Sequence, residues 1–445
     1  MTKTNNIPKD WKWVKLGEYV KSVKGKKPKR LSSVKTKECS IPYVNIKAFE
    51  KNIIDEYTDG VGCVLCDEGD FVMVWDGSRS GYVGKSISGA LGSTLVKLDF
   101  PDIDNNYAYY FLQSKFMDIN TRAKGVGIPH VDPNILWKYE LLIPPLPVQQ
   151  AIVSKIEELF SELDNGIAQL KTAQQQLKTY RQSVLKWAFE GKLTEEWRLV
   201  GMAGFEPTTS KNKKSRKSIN PTNHGLDNKL NAEREGFAPP DLPEGWKWVK
   251  IEDVSTVGTG ATPLKSNKNY YQDGKIAWVT SGALNDEYVR EATDYVTEIA
   301  LKETNLSIYP KHTLLMAMYG EGKTRGKCSE LLIEATTNQA IAAISFDKHD
   351  IRVKPFLKYF LFKNYIDIRR MSSGGVQPNL NLGIVKKTTF PFPPIEEQHQ
   401  IVQEIESRLS VADKLEESIS ASLQQAEALR QSVLKKAFEG KLIKK

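Results

Sequence analysis

The 445-residue sequence has four cysteines, five histidines and no long apolar run. So few cysteines in such a length build no disulfide scaffold, which fits a reducing compartment. The opening Met1-Thr2-Lys3-Thr4-Asn5-Asn6 lacks the apolar stretch of a signal peptide, so no membrane segment is expected and the cytoplasm is the expected location. Cys63-Val64-Leu65-Cys66 has the spacing of half a zinc site, but no further ligand pair accompanies it, and His130, His224, His312, His349 and His399 form no spaced set. Buried thiols and no metal site are expected. Gly84-Lys85-Ser86 and Gly322-Lys323-Thr324 invite a phosphate-loop reading, but Arg79 and Ala317 stand where that loop needs its first glycine, which excludes nucleotide hydrolysis by that motif. Adenine-methyltransferase chemistry would need an acidic or amide residue before Pro-Pro and an aromatic; Ile143-Pro144-Pro145-Leu146 and Phe392-Pro393-Pro394-Ile395 are not that. Glu190, Glu321 and Glu439 open Glu-x-Lys triplets without an upstream Pro-Asp partner, so a metal-dependent nuclease is not indicated.

What the sequence does contain is a repeat. Arg181 to Leu193 returns as Arg430 to Leu442 with one substitution, Trp187 against Lys436. Trp11-Lys12-Trp13-Val14-Lys15, Gly25 and Pro28 recur 235 positions later, where Ile276-Ala277-Trp278-Val279 also answers Ile41-Pro42-Tyr43-Val44, while Gly125, Pro129, Gln149 and Ile152-Val153 recur 249 later. The second copy therefore holds fourteen extra residues in its middle. A period this long means two copies of a whole domain rather than a solenoid, and alike ends with unlike middles suit one frame carrying two recognition surfaces.

Short apolar runs at Ile41 to Ile46, Asp70 to Trp75, Leu314 to Met318 and Ala340 to Ile344 read as strands, and Tyr107 to Met117 and Pro355 to Arg369 as helices, giving a mixed α/β domain in each copy. After the proline clusters, apolar residues fall three or four apart from Ile152 to Ala188 and from Ile401 to Ala437. This predicts two long helices, the first from Gln149 to Glu190, paired as an antiparallel coiled coil, with Gly191 and Gly440 as stops. Separate helices, each packed on its own domain, are the plainer alternative. The expected division is a first recognition domain over 1–147, a long helix over 148–197, a polar linker over 198–240, a second domain over 241–395 and a second long helix over 396–445. The linker carries the basic run Lys211 to Lys217.

The formal charge of +9 and the pI of about 9.0 favour a polyanionic partner. Three pairs of loops place cations where phosphates or base edges could be met. The first holds Lys26, Lys27, Lys29 and Arg30, answered by Lys265 and Lys268. The second, glycine-rich, holds Ser78, Arg79 and Lys85 against Lys323, Arg325 and Lys327, with Gly77 matched to Gly320 and Gly84-Lys85 to Gly326-Lys327; a tight hairpin with a solvated rim is its plainer reading. The third holds Lys124 in one copy and Gln377 in the other, where a glutamine could read adenine or cap a turn.

Leu242-Pro243-Glu244-Gly245-Trp246, Gly260 to Pro263 before Trp278-Val279, Ala317-Met318-Tyr319-Gly320, Thr337-Asn338-Gln339-Ala340, Pro393-Pro394 with Glu397-Gln398 and Ile401-Val402, and Ala437-Phe438-Glu439-Gly440-Lys441-Leu442 together resemble the specificity subunits of type I restriction-modification systems. The resemblance spans nearly the whole chain. The first copy departs from it at Ile7-Pro8-Lys9-Asp10-Trp11, and at Gly92-Ser93-Thr94 where the second has Asn338-Gln339. It implies a non-catalytic reader of a two-part, asymmetric double-stranded DNA site, one domain per half-site, with the helices setting the gap. Two methyltransferase subunits, which carry S-adenosylmethionine, would dock on the helices, and a motor-nuclease restriction subunit would join them; no cofactor is expected in this chain. Two other classes stay open on the residues alone, a self-sufficient DNA-modifying or DNA-cutting enzyme and a DNA-binding regulator without such partners.

Overall fold

A computed structural model describes residues 10–125, 127–203, 241–292, 294–320, 324–370 and 379–443. Two compact units emerge, Met1–Ala173 with Ser418–Lys445 and Gln174–Glu417. Each holds one domain together with portions of both long helices.

In the first unit an antiparallel sheet runs in the order Lys21–Lys24, Leu95–Asp99, Phe71–Val74, Val83–Lys85. A second sheet orders Tyr57–Thr58, Ile41–Val44, Gly89–Leu91 and Leu65–Cys66, with Ile41–Val44 and Gly89–Leu91 parallel. The second unit repeats this plan. Its larger sheet orders Thr256–Thr259, Ile341–Ser345, Leu314–Ala317, Cys328–Leu331 and Tyr288–Val289, the last pair parallel, and its smaller one Asp294–Val296, Ile276–Val279 and Thr336–Thr337, where again the strand from Ile276 runs parallel to its partner.

The central strands explain the unbroken apolar runs. Successive side chains of a strand point to opposite faces, and here both faces are covered. Phe71 and Met73 join a core with the helix Asn105–Thr121, while Val72 and Val74 join another with Val44 and Leu91. Leu314 and Met316 divide from Leu315 and Ala317 in the same way. A ladder of Lys12–Lys15 with Glu140–Ile143 ties each domain's start to its end, matched by Lys247–Lys250 with Thr389–Phe392. Two expectations shift: the strand from Ile41 stops at Val44 because Asn45 caps a short helix, accepting from the Ala48 amide at 2.9 Å, and Pro355 to Arg369 forms two helices, Lys354–Lys363 and Tyr365–Arg370.

The long helices run over Leu146–Phe189 and Ile395–Phe438. In the first unit Ile152, Ile156 and Phe160 share a core with Val433, Leu434 and Ala437; in the second Val184, Ala188 and Phe189 share one with Ile401, Val402 and Ile405. The start of one helix thus lies against the end of the other in both units, the antiparallel coiled coil of the sequence reading, while both helices also pack on the domain. Phe438, near the end of the second helix, meets Tyr107 and Phe111 edge-on at 5.1 and 5.3 Å between ring centres, and Phe189 of the first helix meets Phe356 and Phe360 at 5.0 and 5.5 Å. Gly191 and Gly440 adopt φ of 73° and 71°, left-handed stops where a side chain would strain the backbone. The seam is not buried throughout: Leu415 and Leu429 are half exposed, because two helices cover only one side of each other. Among the described residues no helix is long and apolar enough to cross a membrane.

Candidate nucleic-acid interface

The first basic loop is anchored by a glycine in both copies. The Gly25 amide donates to the Leu95 carbonyl at 2.9 Å, and a Cβ there would lie 2.2 Å from the Gly92 oxygen; one on Gly260 would lie 1.6 Å from the Thr337 oxygen. Only glycine allows so close a backbone approach. Beyond this anchor Lys26, Lys27, Lys29 and Arg30 are exposed, as are Lys265 and Lys268. Arg30 stands 3.8 Å from Glu38 and 4.0 Å from Asp59.

The glycine-rich segment is a hairpin loop, between Phe71–Val74 and Val83–Lys85 in one unit and between Leu314–Ala317 and Cys328–Leu331 in the other. Gly77 and Gly320 correspond, with φ of 130° and 134°. The match of Gly84-Lys85 to Gly326-Lys327 does not survive. The Gly81 amide donates to Val74 as the Gly326 amide donates to Ala317, so the equivalents are Gly81-Tyr82 and Gly326-Lys327. The second loop is two residues longer, an insertion that glycine spacing alone could not locate. Lys85 therefore lies in a strand, opposite Phe71, at the position that holds Glu330 in the second unit.

Cations in the first unit are propped from beneath by carboxylates. Arg79 meets Glu50 at 3.2 Å and covers the Tyr82 ring at 4.0 Å, Lys124 meets Asp132 at 2.6 Å, and Lys24 meets Asp76 at 2.9 Å. In each pair the cation is the more exposed partner, most sharply at Lys124, 63% exposed over an Asp132 that is 5% exposed. The Lys124 ammonium holds the Asp132 carboxyl below the usual carboxylate range, helped by the Asn134 amide. Ser78 is exposed, and its carbonyl accepts from Asn120 at 3.1 Å. The loops touch: the Gly77 amide donates to the Pro129 carbonyl at 2.8 Å, and Asp76 and Lys124 each bridge to His130. Sequence spacing had kept these loops apart; their union was missed because strand pairing brings together residues some fifty positions distant.

In the second unit the Lys327 ammonium donates to Asn285 at 3.1 Å, and the Arg325 carbonyl accepts from Arg369 at 2.6 Å. Arg325 itself is half-buried. Lys323, Gln377 and the run from Lys211 to Lys217 lie outside the described residues. Cys66 is buried and Cys63 half-buried, and burial raises the Cys66 thiol above its ordinary pKa.

Two recognition-like domains on duplicated helices match a known model. The pattern for the type I restriction modification DNA specificity domain covers residues 8–173 and again 243–425. The type I restriction enzyme MjaVIII specificity subunit of Methanocaldococcus jannaschii is 24% identical over 98% of this chain and 94% of its own, and the EcoDI specificity subunit of Escherichia coli is 24% identical over 98% and 89%. In fold the chain resembles the HsdS subunit from Thermoanaerobacter tengcongensis, with a TM-score of 0.55 at 16% identity over 99% of both chains. It also resembles a chain from a study of complex assembly and conformational transition in a type I R-M system, with a TM-score of 0.68 at 17% identity over 99% of this chain and 100% of that one. The chain belongs to the type I restriction-modification DNA specificity family.

Proposed function

We propose that the chain, the DNA sequence-recognition subunit of a type I restriction-modification complex, reads an asymmetric, two-part duplex target, one domain to each half-site in the major groove, with the paired helices as the spacer. The observation that carries this reading is the doubled unit: the same ring contacts, helix stops and sheet order recur with unlike loops. Repeated framing fixes geometry, and unlike loops supply two specificities.

This chain performs no chemistry in that scheme. Two methyltransferase subunits carry S-adenosylmethionine and methylate adenine, a restriction subunit cleaves, and the complex works in the cytoplasm. The half-exposed Val411, Leu415 and Leu429 on the second helix supply apolar surface for one methyltransferase. The near-identical helix ends, Arg181 to Leu193 and Arg430 to Leu442, offer equivalent surfaces to two copies of one partner.

Shortening both helices by one heptad tests the spacer. The change is about 10 Å, or roughly three base pairs. The methylome of the variant should show both half-sites intact and the gap between them reduced. An unaltered gap would refute the ruler.

A further inference from the structure

We infer that Ile128 is a specificity-determining residue of the first domain, reading a thymine through its C5-methyl group in the first half-site. This rests on the reading of the chain as a DNA specificity subunit. Ile128 is 69% exposed, on a loop whose neck and whose Pro129 are tied down by backbone hydrogen bonds. The Lys124 amide donates to His130 at 2.9 Å and the His130 amide to Lys124 at 2.7 Å, closing the loop at its neck. Pro129 accepts from the Gly77 amide at 2.8 Å, and the Val131 amide donates to Trp75 at 2.9 Å, fixing it to the neighbouring hairpin. At Gly125 φ is 121° and a Cβ would lie 2.4 Å from the Ile128 oxygen, so the turn demands glycine.

An exposed β-branched side chain next to a loop neck tied in this way does nothing for the core. It does hold a methyl-rich surface in one place, with little rotamer freedom to lose on contact. The surroundings suit DNA: exposed Lys124 and Arg79 stand above carboxylates that hold them, with exposed Ser78 beside Arg79 on the neighbouring hairpin. Val61 is as exposed, at 70%, but its turn offers a carboxylate instead, since the Val61 amide is held by Asp59 at 3.1 Å. In the major groove the thymine methyl is the one apolar feature that marks a base, and it is read by apolar contact. The repeat sets Gln377 at the matching position of the second copy, which supplies a substitution of different base chemistry.

The test uses the full chain with its methyltransferase partner. The methylome gives the target, and binding is then measured on duplexes in which single thymines of the first half-site are replaced by deoxyuridine, which removes only the methyl. One such replacement should weaken the parent complex about fivefold and leave Ile128→Ala unaffected. In the methylome, I128A should relax that one position and I128Q should shift it toward adenine, with the second half-site unaltered. Thermal midpoint and the salt dependence of binding should match the parent, because no core contact and no phosphate contact is lost. A first half-site without an A·T pair, or I128A with parental sequence preference and parental sensitivity to deoxyuridine, overturns the inference. A parent complex that methylates no bipartite site overturns the functional reading instead.

Discussion

In the second unit Glu397 is buried at the start of its long helix and accepts hydrogen bonds from Thr194 at 2.7 Å, from the Trp246 indole at 2.8 Å and from Arg198. In the first unit the same repeat positions hold Val148, Ile443 and Trp11, and Val148 and Trp11 simply pack against the core. The contrast recurs beside the central sheet. Buried Glu330 is held by Lys354 at 2.5 Å, by Lys358 at 2.9 Å and by His312 at 2.8 Å; Lys85, Asn105 and Tyr109 occupy the places of Glu330, Lys354 and Lys358 in the first unit, where Phe71 stacks on Tyr109 at 5.0 Å. At these two places the shared frame is thus held by apolar packing in one copy and by buried charge in the other. A buried ion cluster adds little over apolar packing while intact, because desolvation offsets its attraction, but removing one partner strands a charge and costs about 3–5 kcal/mol. The second unit should therefore be the one that breaks on a single substitution or on acidification.

The largest effect is expected at Glu330. Burial raises its pKa, but hydrogen bonds from Lys354, His312 and Lys358 outweigh that and hold the carboxyl at about 2, against an ordinary 4.5. A folded pKa below the unfolded one means that the stabilisation is complete above about 4.5 and is lost as pH falls toward 2. Hydrogen exchange along an acid titration should show Lys354–Lys363 losing protection before Asn105–Thr121. Glu330→Gln should destabilise the second unit by about 3–5 kcal/mol already at neutral pH. Equal loss in both units would dissolve the contrast.

Glu397→Gln keeps the shape and removes the charge facing Arg198. A loss of about 2–3 kcal/mol is expected, the scale of a hydrogen bond to a charged group. Val148→Ala, at the matching position, should cost about 1 kcal/mol. Denaturant unfolding of the two variants gives the comparison directly, and a Val148→Ala loss as large as that of Glu397→Gln would mean that apolar and charged anchors are equivalent.

Much of this frame was legible in the sequence, because the features that show it are periodic or invariant for steric reasons. The three-four spacing gave the first long helix to within three residues at each end, and the second, read from Ile401 to Ala437, lacked only the opening turns from Ile395. Gly25, Gly260, Gly191 and Gly440 stood out because backbone approach or positive φ leaves no alternative residue. The charge clusters were not legible. Glu330 and Lys358 meet across 28 positions and Thr194 and Glu397 across 203, and nothing local separates a buried lysine from a solvated one. The hairpin register failed for a related reason: a two-residue insertion moves every later residue along the strand, and Lys85 consequently took the place of a residue it does not match.

The smallest effect concerns the helix pair itself. Asp164 and Arg430 form an ion pair in the first unit, and Arg181 meets Asp413 at 2.7 Å in the second. These are the same two repeat positions with the helices exchanged, since Asp413 lies 249 beyond Asp164 and Arg430 lies 249 beyond Arg181. Such reciprocity, in which i meets j and j meets i, marks a self-complementary interface. The rungs differ in one respect: Arg181 also reaches Glu416 at 2.9 Å, whereas Ile167 stands at that position in the other copy and Arg430 covers the Phe160 ring at 4.4 Å. Exposed pairs of this kind contribute about 0.2–1 kcal/mol and are screened by salt. Asp164→Arg should therefore cost about 1 kcal/mol at low ionic strength, and adding Arg430→Asp should recover most of it. Asp413→Arg should cost less, because Glu416 still faces Arg181. Both differences should shrink in 1 M salt, roughly a 3 Å screening length. Equal costs for the two single variants would mean that Glu416 adds nothing, and no recovery in the double variant would mean that the reciprocal rungs do not set the register.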